Sequence, residues 1–370
     1  GGGRAGAAAA LAARGRRPDA RILLIDRAEF PRDKPCGDAV AAHAGDELAR
    51  LGVAEVLDGW PTVDRLRLRS PDGRVAARRC RRDNWVIPRR VFDARLVAAA
   101  GARGVERRTE RVRRVEQRTG LVVLDGHTAA RVVIGADGAS STVRRALGVV
   151  PNPPDHLAVA VRGYAPAPAG TPEQLIAMVA AGWPSYAWSF PVGDGSANVG
   201  YGLLRDRLDG GKAQLHDRLA AALPDMRPDP ATLRAHHLPF SSRRPVPAVG
   251  RVLLAGDAAS LINPLSGEGI YYALLSGRLA GACAVEDPAA AGRRYPRLLA
   301  AALGRHFTHT GVLARAIRHR RLVEGAVAAA AADQAVFDRM VDLTLGGGLV
   351  APRPLGRVLA AACRPGPGGP

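Results

Sequence analysis

The chain has 370 residues, of which 47% are hydrophobic, and carries a formal net charge of +19. This length and apolar content exclude a disordered linker and allow two domains, or one large domain with an insertion. The charge comes almost wholly from arginine, because Lys34 and Lys212 are the only lysines, and such a bias is typical of a GC-rich genome. Aromatic residues make up only 4% of the chain, so the composition predicts no nucleic-acid partner.

The sequence also argues against several kinds of site and segment. No uncharged apolar run reaches the length of about 18 residues that a membrane helix needs, and no leader peptide is recognisable. The cysteines Cys36, Cys80, Cys283 and Cys363 have neither metal-ligand nor disulfide-framework spacing, which is typical of a reducing compartment. We therefore expect a cytoplasmic protein without a metal site.

The first six residues form a G-x-G-x-x-G turn at Gly1, Gly3 and Gly6, followed by an alanine-rich helix that we expect to end at Gly15. Such glycines let the backbone approach a pyrophosphate, and the helix N-terminus offers unpaired N–H groups. A short apolar strand then ends at Asp26, 20 residues after Gly6, where an acid can accept hydrogen bonds from a ribose. Dinucleotide folds have a strand before this turn, so we expect the natural chain to begin earlier.

Two later segments follow a common pattern. A buried strand runs into Asp137 and Gly138 before a helix starts, and another strand ends at Gly256 and Asp257. Each pattern predicts a carboxylate at the end of a strand, beside a sugar or ribityl hydroxyl. The alternative is that these aspartates only cap turns.

The three segments, in this order, resemble the FAD-binding pattern of the flavoproteins that include p-hydroxybenzoate hydroxylase and the geranylgeranyl reductases. The resemblance implies an α/β protein with a Rossmann-like FAD-binding domain, an inserted antiparallel β-sheet substrate domain and a helical C-terminal region. The chain departs from the pattern at Arg4, where proline is common in the family. The cofactor-binding residues that the resemblance predicts are Gly1, Gly3, Gly6, Asp26, Arg27, Cys36, Gly37, Arg89, Asp137, Gly138, Gly256, Asp257, Pro264, Gly267, Gly269 and Ile270.

In this family Asp257 would hold the ribityl chain, and Asp137 with Gly138 would lie between cofactor and substrate. The loop through Gly267 and Gly269 leads into a helix at Ile270. A helix N-terminus directed at the flavin pyrimidine ring would stabilise the negative charge of the reduced cofactor.

Two stretches are similar to the geranylgeranyl reductase branch: Lys-x-Cys-Gly at 34–37, and Tyr-x-Trp-x-Phe-Pro with Asn-Val-Gly-x-Gly at 186–202. The second predicts two strands joined by a Gly-Asp-Gly turn. Tyr186, Trp188 and Phe190 would share one face of the sheet because side chains alternate along a strand. That face could form an apolar wall for a hydrophobic substrate, or simply be sheet core.

Cys36 is the candidate catalytic residue. A free cysteine is most often a small buried hydrophobe, but in the reductase branch this position lies near the flavin. A thiol that is protonated at neutral pH could then donate a proton. We expect His43, a few residues on, at the surface.

The resemblance implies that reduced FAD delivers hydride to a C=C bond of a prenyl or similar hydrophobic substrate. The chain has no second dinucleotide turn, so NAD(P)H would bind transiently as electron donor. An FAD-dependent monooxygenase of specialised metabolism is the alternative, since both share this architecture. A halogenase is less favoured because neither lysine is well placed by sequence for a substrate site, and a non-catalytic binding protein has only the charge to support it.

We expect the hairpin within 61–83 to join the substrate sheet. From about residue 301 onward the pattern is helical, with a near-helical spacing at His306, Thr310, Leu313, Ile317 and Leu322. This basic helical end would pack against the FAD-binding domain, or rest on the anionic inner face of a membrane that holds a prenyl lipid. The sequence does not distinguish a monomer from an oligomer.

The predicted domains are FAD-binding (1–60, 84–150 and 245–300), substrate-binding (61–83 and 151–244) and C-terminal helical with a Gly/Pro-rich tail (301–370).

Overall fold

The structure is a computed structural model that describes residues 1–363. The end of the predicted Gly/Pro-rich tail, residues 364–370, lies outside the described residues. The helices are α1 (Arg4–Arg16), α2 (Ala42–Arg50), α3 (Arg89–Ala102), α4 (Thr142–Ala146), α5 (Gly211–Ala222), α6 (Ile270–Glu286), α7 (Ala291–Ala316), α8 (Arg320–Ala332), α9 (Gln334–Leu345) and α10 (Pro352–Ala362). The strands are β1 (Leu23–Asp26), β2 (Ala39–Val40), β3 (Thr62–Arg69), β4 (Val75–Val86), β5 (Glu106–Thr109), β6 (Val115–Arg118), β7 (Leu121–Leu124), β8 (Thr128–Ala130), β9 (Val133–Gly135), β10 (Leu157–Pro166), β11 (Gln174–Val179), β12 (Ser185–Pro191), β13 (Ser196–Leu204), β14 (Arg234–Pro239), β15 (Ala248–Val249) and β16 (Val252–Leu254).

The nucleotide-binding part is built from α1, α6 and short parallel strand pairs. β1 pairs with β5 and β9 pairs with β16, both in parallel. α1 lies directly on α6 because both helices carry small residues: a Cβ at Gly281 would lie 2.0 Å from the carbonyl oxygen of Ala9. α1 continues through Gly15 to Arg16, so the prediction that Gly15 ends this helix was wrong.

The second layer is an eight-stranded sheet with the order β14-β10-β13-β12-β11-β3-β4-β2. Most neighbours are antiparallel, and β11 with β3 is a parallel pair. The predicted β3–β4 hairpin is present and joins this sheet. The predicted Tyr-x-Trp-x-Phe-Pro and Asn-Val-Gly-x-Gly strands are β12 and β13 in the centre of the sheet, paired from Ser185 with Leu203 to Pro191 with Ala197.

The C-terminal helices are divided between the two layers. α7 packs on the nucleotide-binding part through buried residues such as Tyr295 and Phe307. α8 and α9 instead place Val327 and Phe337 on Leu66 and Leu68 of the hairpin. The expectation that this end packs against the FAD-binding domain therefore holds for α7 and for the end of α9, where the carbonyl oxygens of Leu343 and Thr344 accept hydrogen bonds from Asn263 and Ser266.

Two boundaries differ from the expected ones. α7 runs through residue 300, so the predicted limit of the FAD-binding part falls inside a helix. The helical spacing predicted from His306 to Leu322 is interrupted, because α7 ends at Ala316 and α8 begins at Arg320. Among residues 1–363, no helix is long and apolar enough to cross a membrane.

Candidate active site

A cavity of about 660 Å³ lies between the eight-stranded sheet and the C-terminal helices. Apolar side chains of β3, β11 and β12 line one side, and apolar side chains of α7 to α10 line the other. The cavity extends to the N-termini of α1 and α6, where Arg4 and Ile270 reach it. Several charged groups lie at this end, among them Lys34, Asp257 and Glu268.

The predicted aromatic wall is present. Tyr186, Trp188 and Phe190 line the cavity from β12, with ring centroids 5.8 Å and 6.4 Å apart along the row. Trp188 Nε1 donates to Asn198 Oδ1 at 2.9 Å, and Tyr186 Oη donates to the carbonyl oxygen of Ser266 at 2.7 Å. Both polar tips are thus satisfied within the protein, so the rings present a fixed apolar face.

The glycine turn packs tightly on the end of β9. A Cβ at Gly1 would lie 2.3 Å from the carbonyl oxygen of Ala136, and a Cβ at Gly6 would lie 1.8 Å from that of Gly1. Gly3 is the N-cap of α1 and supplies no side-chain hydrogen bond. The first N–H groups of α1 are therefore not capped by a side chain, and they carry the positive end of the helix dipole.

Asp26 is buried at the end of β1 and braces this turn. Its carboxylate accepts hydrogen bonds from the backbone N–H of Gly2 at 2.6 Å and of Ala28 at 3.0 Å, and from Arg32 at 3.1 Å. Burial opposes ionisation, but Arg32 and the two N–H groups outweigh it and lower the pKa of Asp26. Arg27, the next predicted residue, is exposed.

In the middle segment the aspartate caps the turn before α4, which was the alternative interpretation of this pattern. The exposed Asp137 accepts hydrogen bonds from the N–H groups of Thr142 and Val143 at the start of α4, and from Ser141 Oγ. Gly138 has a φ of +83°, which favours glycine. Neither residue lines the cavity, so their role towards a cofactor stays a prediction.

The late segment places its aspartate in the cavity. Asp257 is buried and forms an ion pair with Lys34, whose Nζ lies 3.0 Å from Oδ2, while His236 Nε2 lies 3.9 Å from the same oxygen. Burial opposes ionisation of Asp257, but Lys34 and His236 hold its pKa well below the usual range. Gly256, with a φ of +60°, supplies the turn before it.

The loop after Asp257 lines the cavity through Pro264, Gly267, Gly269 and Ile270. α6 begins at Ile270 with Gly269 as its N-cap. Glu268 accepts the backbone N–H of Tyr271 at 2.8 Å, and burial raises the pKa of its carboxyl.

Cys36 and Gly37 meet the aromatic wall. Cys36 is half-buried on the cavity wall, and its Sγ accepts a long hydrogen bond from Arg4 Nη1 at 3.7 Å. A Cβ at Gly37 would lie 3.3 Å from Phe190 and 3.4 Å from Trp188, so the backbone packs closely on both rings.

Arg89 is fully buried behind the glycine turn. It forms a bidentate pair with Asp93, at 2.8 and 2.5 Å, which raises the pKa of Arg89 despite burial. Its Nη1 is buried and has no hydrogen-bond partner among residues 1–363. Because a buried unpaired donor is costly, this atom marks a place where a ligand acceptor fits.

The chain matches no protein-family model. It is 34% identical over 335 residues to the menaquinone reductase of Mycobacterium tuberculosis, covering 82% of this chain and 78% of that protein. It is 32% identical over 307 residues to digeranylgeranylglycerophospholipid reductase 1 of Methanopyrus kandleri, covering 77% and 79%. The chain belongs to the geranylgeranyl reductase family of FAD-dependent oxidoreductases.

Solved structures show the same fold. A geranylgeranyl bacteriochlorophyll reductase-like protein of Thermoplasma acidophilum matches with a TM-score of 0.75 and 20% identity, covering 97% of this chain and 94% of that one. The flavin-dependent halogenase CmlS matches with a TM-score of 0.67 and 19% identity, covering 96% and 68%. The predicted fold class is thereby confirmed.

The residues of this reductase-family protein fit FAD. The uncapped N–H groups of α1 lie close to two guanidinium groups, a combination that suits a pyrophosphate: a Cβ at Gly3 would lie 3.5 Å from Arg32 Nη2 and 3.6 Å from Arg89 Nη2. Asp257 and the N-terminus of α6 lie further along the same cavity edge, as a ribityl chain and a flavin ring require. The individual contacts to FAD remain predictions.

The sequence predictions missed several residues of the site. Lys34 lines the cavity and forms an ion pair with Asp257, a place that its position in the sequence did not indicate. Asp38 lines it too, directly after the Lys-x-Cys-Gly stretch, which was the available signal. His236, from β14, had no local signal at all. His43, expected at the surface, is half-buried against Tyr271.

Proposed function

We propose that this protein reduces C=C bonds in the prenyl chain of a lipid or quinone. The observation that carries the proposal is the apolar cavity, which runs from the FAD-binding edge past Tyr186, Trp188 and Phe190 to α10. A chain of isoprene units has no polar group to satisfy, and this wall offers almost none. The names of the relatives, a menaquinone reductase and digeranylgeranylglycerophospholipid reductases, support the same substrate class.

Reduced FAD, when bound, supplies hydride to one alkene carbon. The protein holds the alkene against the aromatic row, whose geometry is fixed by the Tyr186 and Trp188 hydrogen bonds. α8 and α9 cover the sheet and keep water from the chain. Arg4 and the N-terminus of α6 place positive charge at the FAD-binding edge, which favours the reduced, anionic cofactor. NAD(P)H is the proposed electron donor and binds transiently.

A monooxygenase is the competing function, since the fold is shared with FAD-dependent hydroxylase-like and halogenase structures. The two are separated by one experiment on anaerobically reduced enzyme. One portion is mixed with a geranylgeranyl ether, whose reducible groups are C=C bonds, and the other with air, while flavin absorbance is followed. Fast reoxidation by the lipid, with two hydrogens gained per turnover, supports the reductase. No reoxidation by lipid, together with an oxygen-dependent transient in air, overturns it.

The cavity also supports a membrane contact as part of this function. Val312 of α7 and Leu355 and Leu359 of α10 line the cavity, yet they are 59%, 39% and 47% exposed. The exposed arginines Arg315 and Arg353 lie on the same two helices. An apolar rim with basic neighbours fits an anionic bilayer from which a prenyl chain enters.

The test is co-flotation with vesicles of anionic or zwitterionic lipid. We expect binding to anionic vesicles, weakened by salt and by the double change Leu355→Ser and Leu359→Ser. The control is Leu121→Ser, because Leu121 is an equally exposed leucine of β7 that does not line the cavity. Equal flotation of all three proteins would contradict the membrane contact.

A further inference from the structure

Asp38 is a fully buried carboxyl in the cavity wall, two residues after Cys36. Its backbone has a φ of +62°, in the left-handed region that aspartate and asparagine tolerate better than most residues. The backbone N–H of Ile87 donates to its carbonyl oxygen at 2.9 Å. The residue is thus fixed where the Lys-x-Cys-Gly segment meets the start of α3.

In the part of the chain that the structure describes, three hydrogen-bond donors contact the carboxyl, and none of them is charged. Tyr164 Oη donates to Oδ2 at 2.5 Å, Asn198 Nδ2 donates to Oδ2 at 2.7 Å, and the backbone N–H of Arg89 donates to Oδ1 at 3.3 Å. Among residues 1–363, no lysine or arginine forms an ion pair with Asp38. The two nearby guanidinium groups are otherwise engaged, Arg89 by Asp93 and Arg162 by Asp33.

This setting suits proton exchange. Burial raises the pKa of Asp38 to about 6, against the opposing effects of Tyr164, Arg162, Asn198 and Arg89. A buried carboxyl that gains and loses its proton near neutral pH is in the range that general acid catalysis needs. Asp257, by contrast, is held ionised by Lys34.

The hydrogen bonds connect Asp38 in two directions. Tyr164 is half-buried, and burial and Asp38 raise its pKa, so its hydroxyl keeps its proton and can pass protons inward from the surface. Asn198 links Asp38 to the carbonyl oxygen of Cys36 at 2.9 Å and, through its Oδ1, to Trp188. The carboxyl therefore lies between a route to solvent and the aromatic wall.

From this geometry we infer that Asp38 is the proton donor to the alkene, with Tyr164 returning the proton from solvent. The inference rests on the proposed reductase function. In the step, the π bond of the alkene breaks and two C–H bonds form. Hydride from the reduced flavin brings both electrons to one carbon, and the Asp38 O–H supplies the proton to the other, leaving a carboxylate.

The test is single-turnover oxidation of anaerobically reduced enzyme by a geranylgeranyl ether across a range of pH, because the ring of a quinone would itself accept the hydride. Asp38→Asn keeps the shape and tolerates the backbone conformation, and Tyr164→Phe removes only a hydroxyl. We expect Asp38→Asn to slow the reaction by about 10²- to 10⁴-fold with FAD affinity unchanged. The wild-type rate should fall as the pH rises above about 6, and this fall should be absent in Asp38→Asn. Asp194→Asn, at the exposed β12–β13 turn, is the matched control and should behave as wild type.

A second readout does not depend on turnover. The infrared difference spectrum of the wild type between low and neutral pH should contain a carboxylic-acid band that is missing in Asp38→Asn. Wild-type enzyme that fails to reduce a geranylgeranyl ether would overturn the proposed function, and with it this inference. If the wild type reduces the alkene and Asp38→Asn keeps its rate and pH profile, only the inference is overturned. Loss of rate in Cys36→Ser but not in Asp38→Asn would likewise assign the proton to Cys36.

Discussion

The buried Asp38 carboxyl should make the stability of this protein depend on pH in an unusual direction. Most carboxylates in a fold have a lowered pKa and lose their contribution in acid. Asp38 is desolvated and has no ion pair within residues 1–363, so its pKa in the folded protein, about 6, lies above the ordinary value of 3.8. Below pH 3.8 the carboxyl is protonated in both the folded and the unfolded protein, and above about pH 6 it is ionised in both. Stability from this group is therefore present in acid and lost as the pH rises through about 6.

The difference between the two pKa values corresponds to about 3 kcal/mol in the free energy of unfolding. We expect the wild type to lose this amount relative to Asp38→Asn between about pH 4 and about pH 7. Urea unfolding of both proteins at several pH values measures the difference directly and cancels the other titrating groups. Asp194→Asn, whose carboxylate is exposed, should run parallel to the wild type. The titratable and charged groups that act on the Asp38 carboxyl are Tyr164, Arg162 and Arg89, and each of them lowers its pKa.

Parallel curves for the wild type and Asp38→Asn would show that the carboxyl does not titrate in this range. A wild type that gains stability with rising pH would show that Arg162 and Arg89 hold it ionised. Either result would refute the reasoning from burial.

Three further predictions concern the cofactor and the cavity. Asp257→Ala should abolish FAD retention, measured as flavin absorbance after gel filtration, because it removes the predicted ribityl contact. Gly6→Ala should weaken FAD binding at least about tenfold, measured by flavin fluorescence titration, because its Cβ would lie 1.8 Å from the carbonyl oxygen of Gly1 and must displace the turn. Gly200→Ala should lower the rate with long prenyl chains more than with short ones, measured as reoxidation of the reduced flavin by the lipid, because its Cβ would lie 2.1 Å from Trp188 and push the ring into the cavity.

Each of these three predictions would be contradicted by a specific result. Full flavin absorbance in Asp257→Ala would place the ribityl contact elsewhere. Unchanged affinity in Gly6→Ala would show that the turn does not approach the cofactor, and the exposed Gly15→Ala is its control, since a Cβ there meets nothing within 4 Å. Equal loss for short and long chains in Gly200→Ala would mean that Trp188 does not line the substrate path.

Local sequence patterns were sufficient for the cofactor-binding part. The glycine turn before α1, and the strands β9 and β16 that lead into Asp137 and Asp257, follow from residue order within about ten positions. The alternation in 186–190 likewise predicted β12 and its aromatic face. These features can be predicted from sequence because residues close together in the chain determine the backbone conformation and the side-chain periodicity.

What surrounds the substrate was decided only by the tertiary structure. Asp257 meets Lys34 and His236 from segments far apart in the chain, and Asp38 owes its raised pKa to burial against β10 and β13. The sequence pattern of α8 and α9 is amphipathic, but it does not say which apolar surface they cover. Because burial and ion pairing depend on contacts between distant segments, the charge state and the walls of this cavity follow from packing and not from residue order.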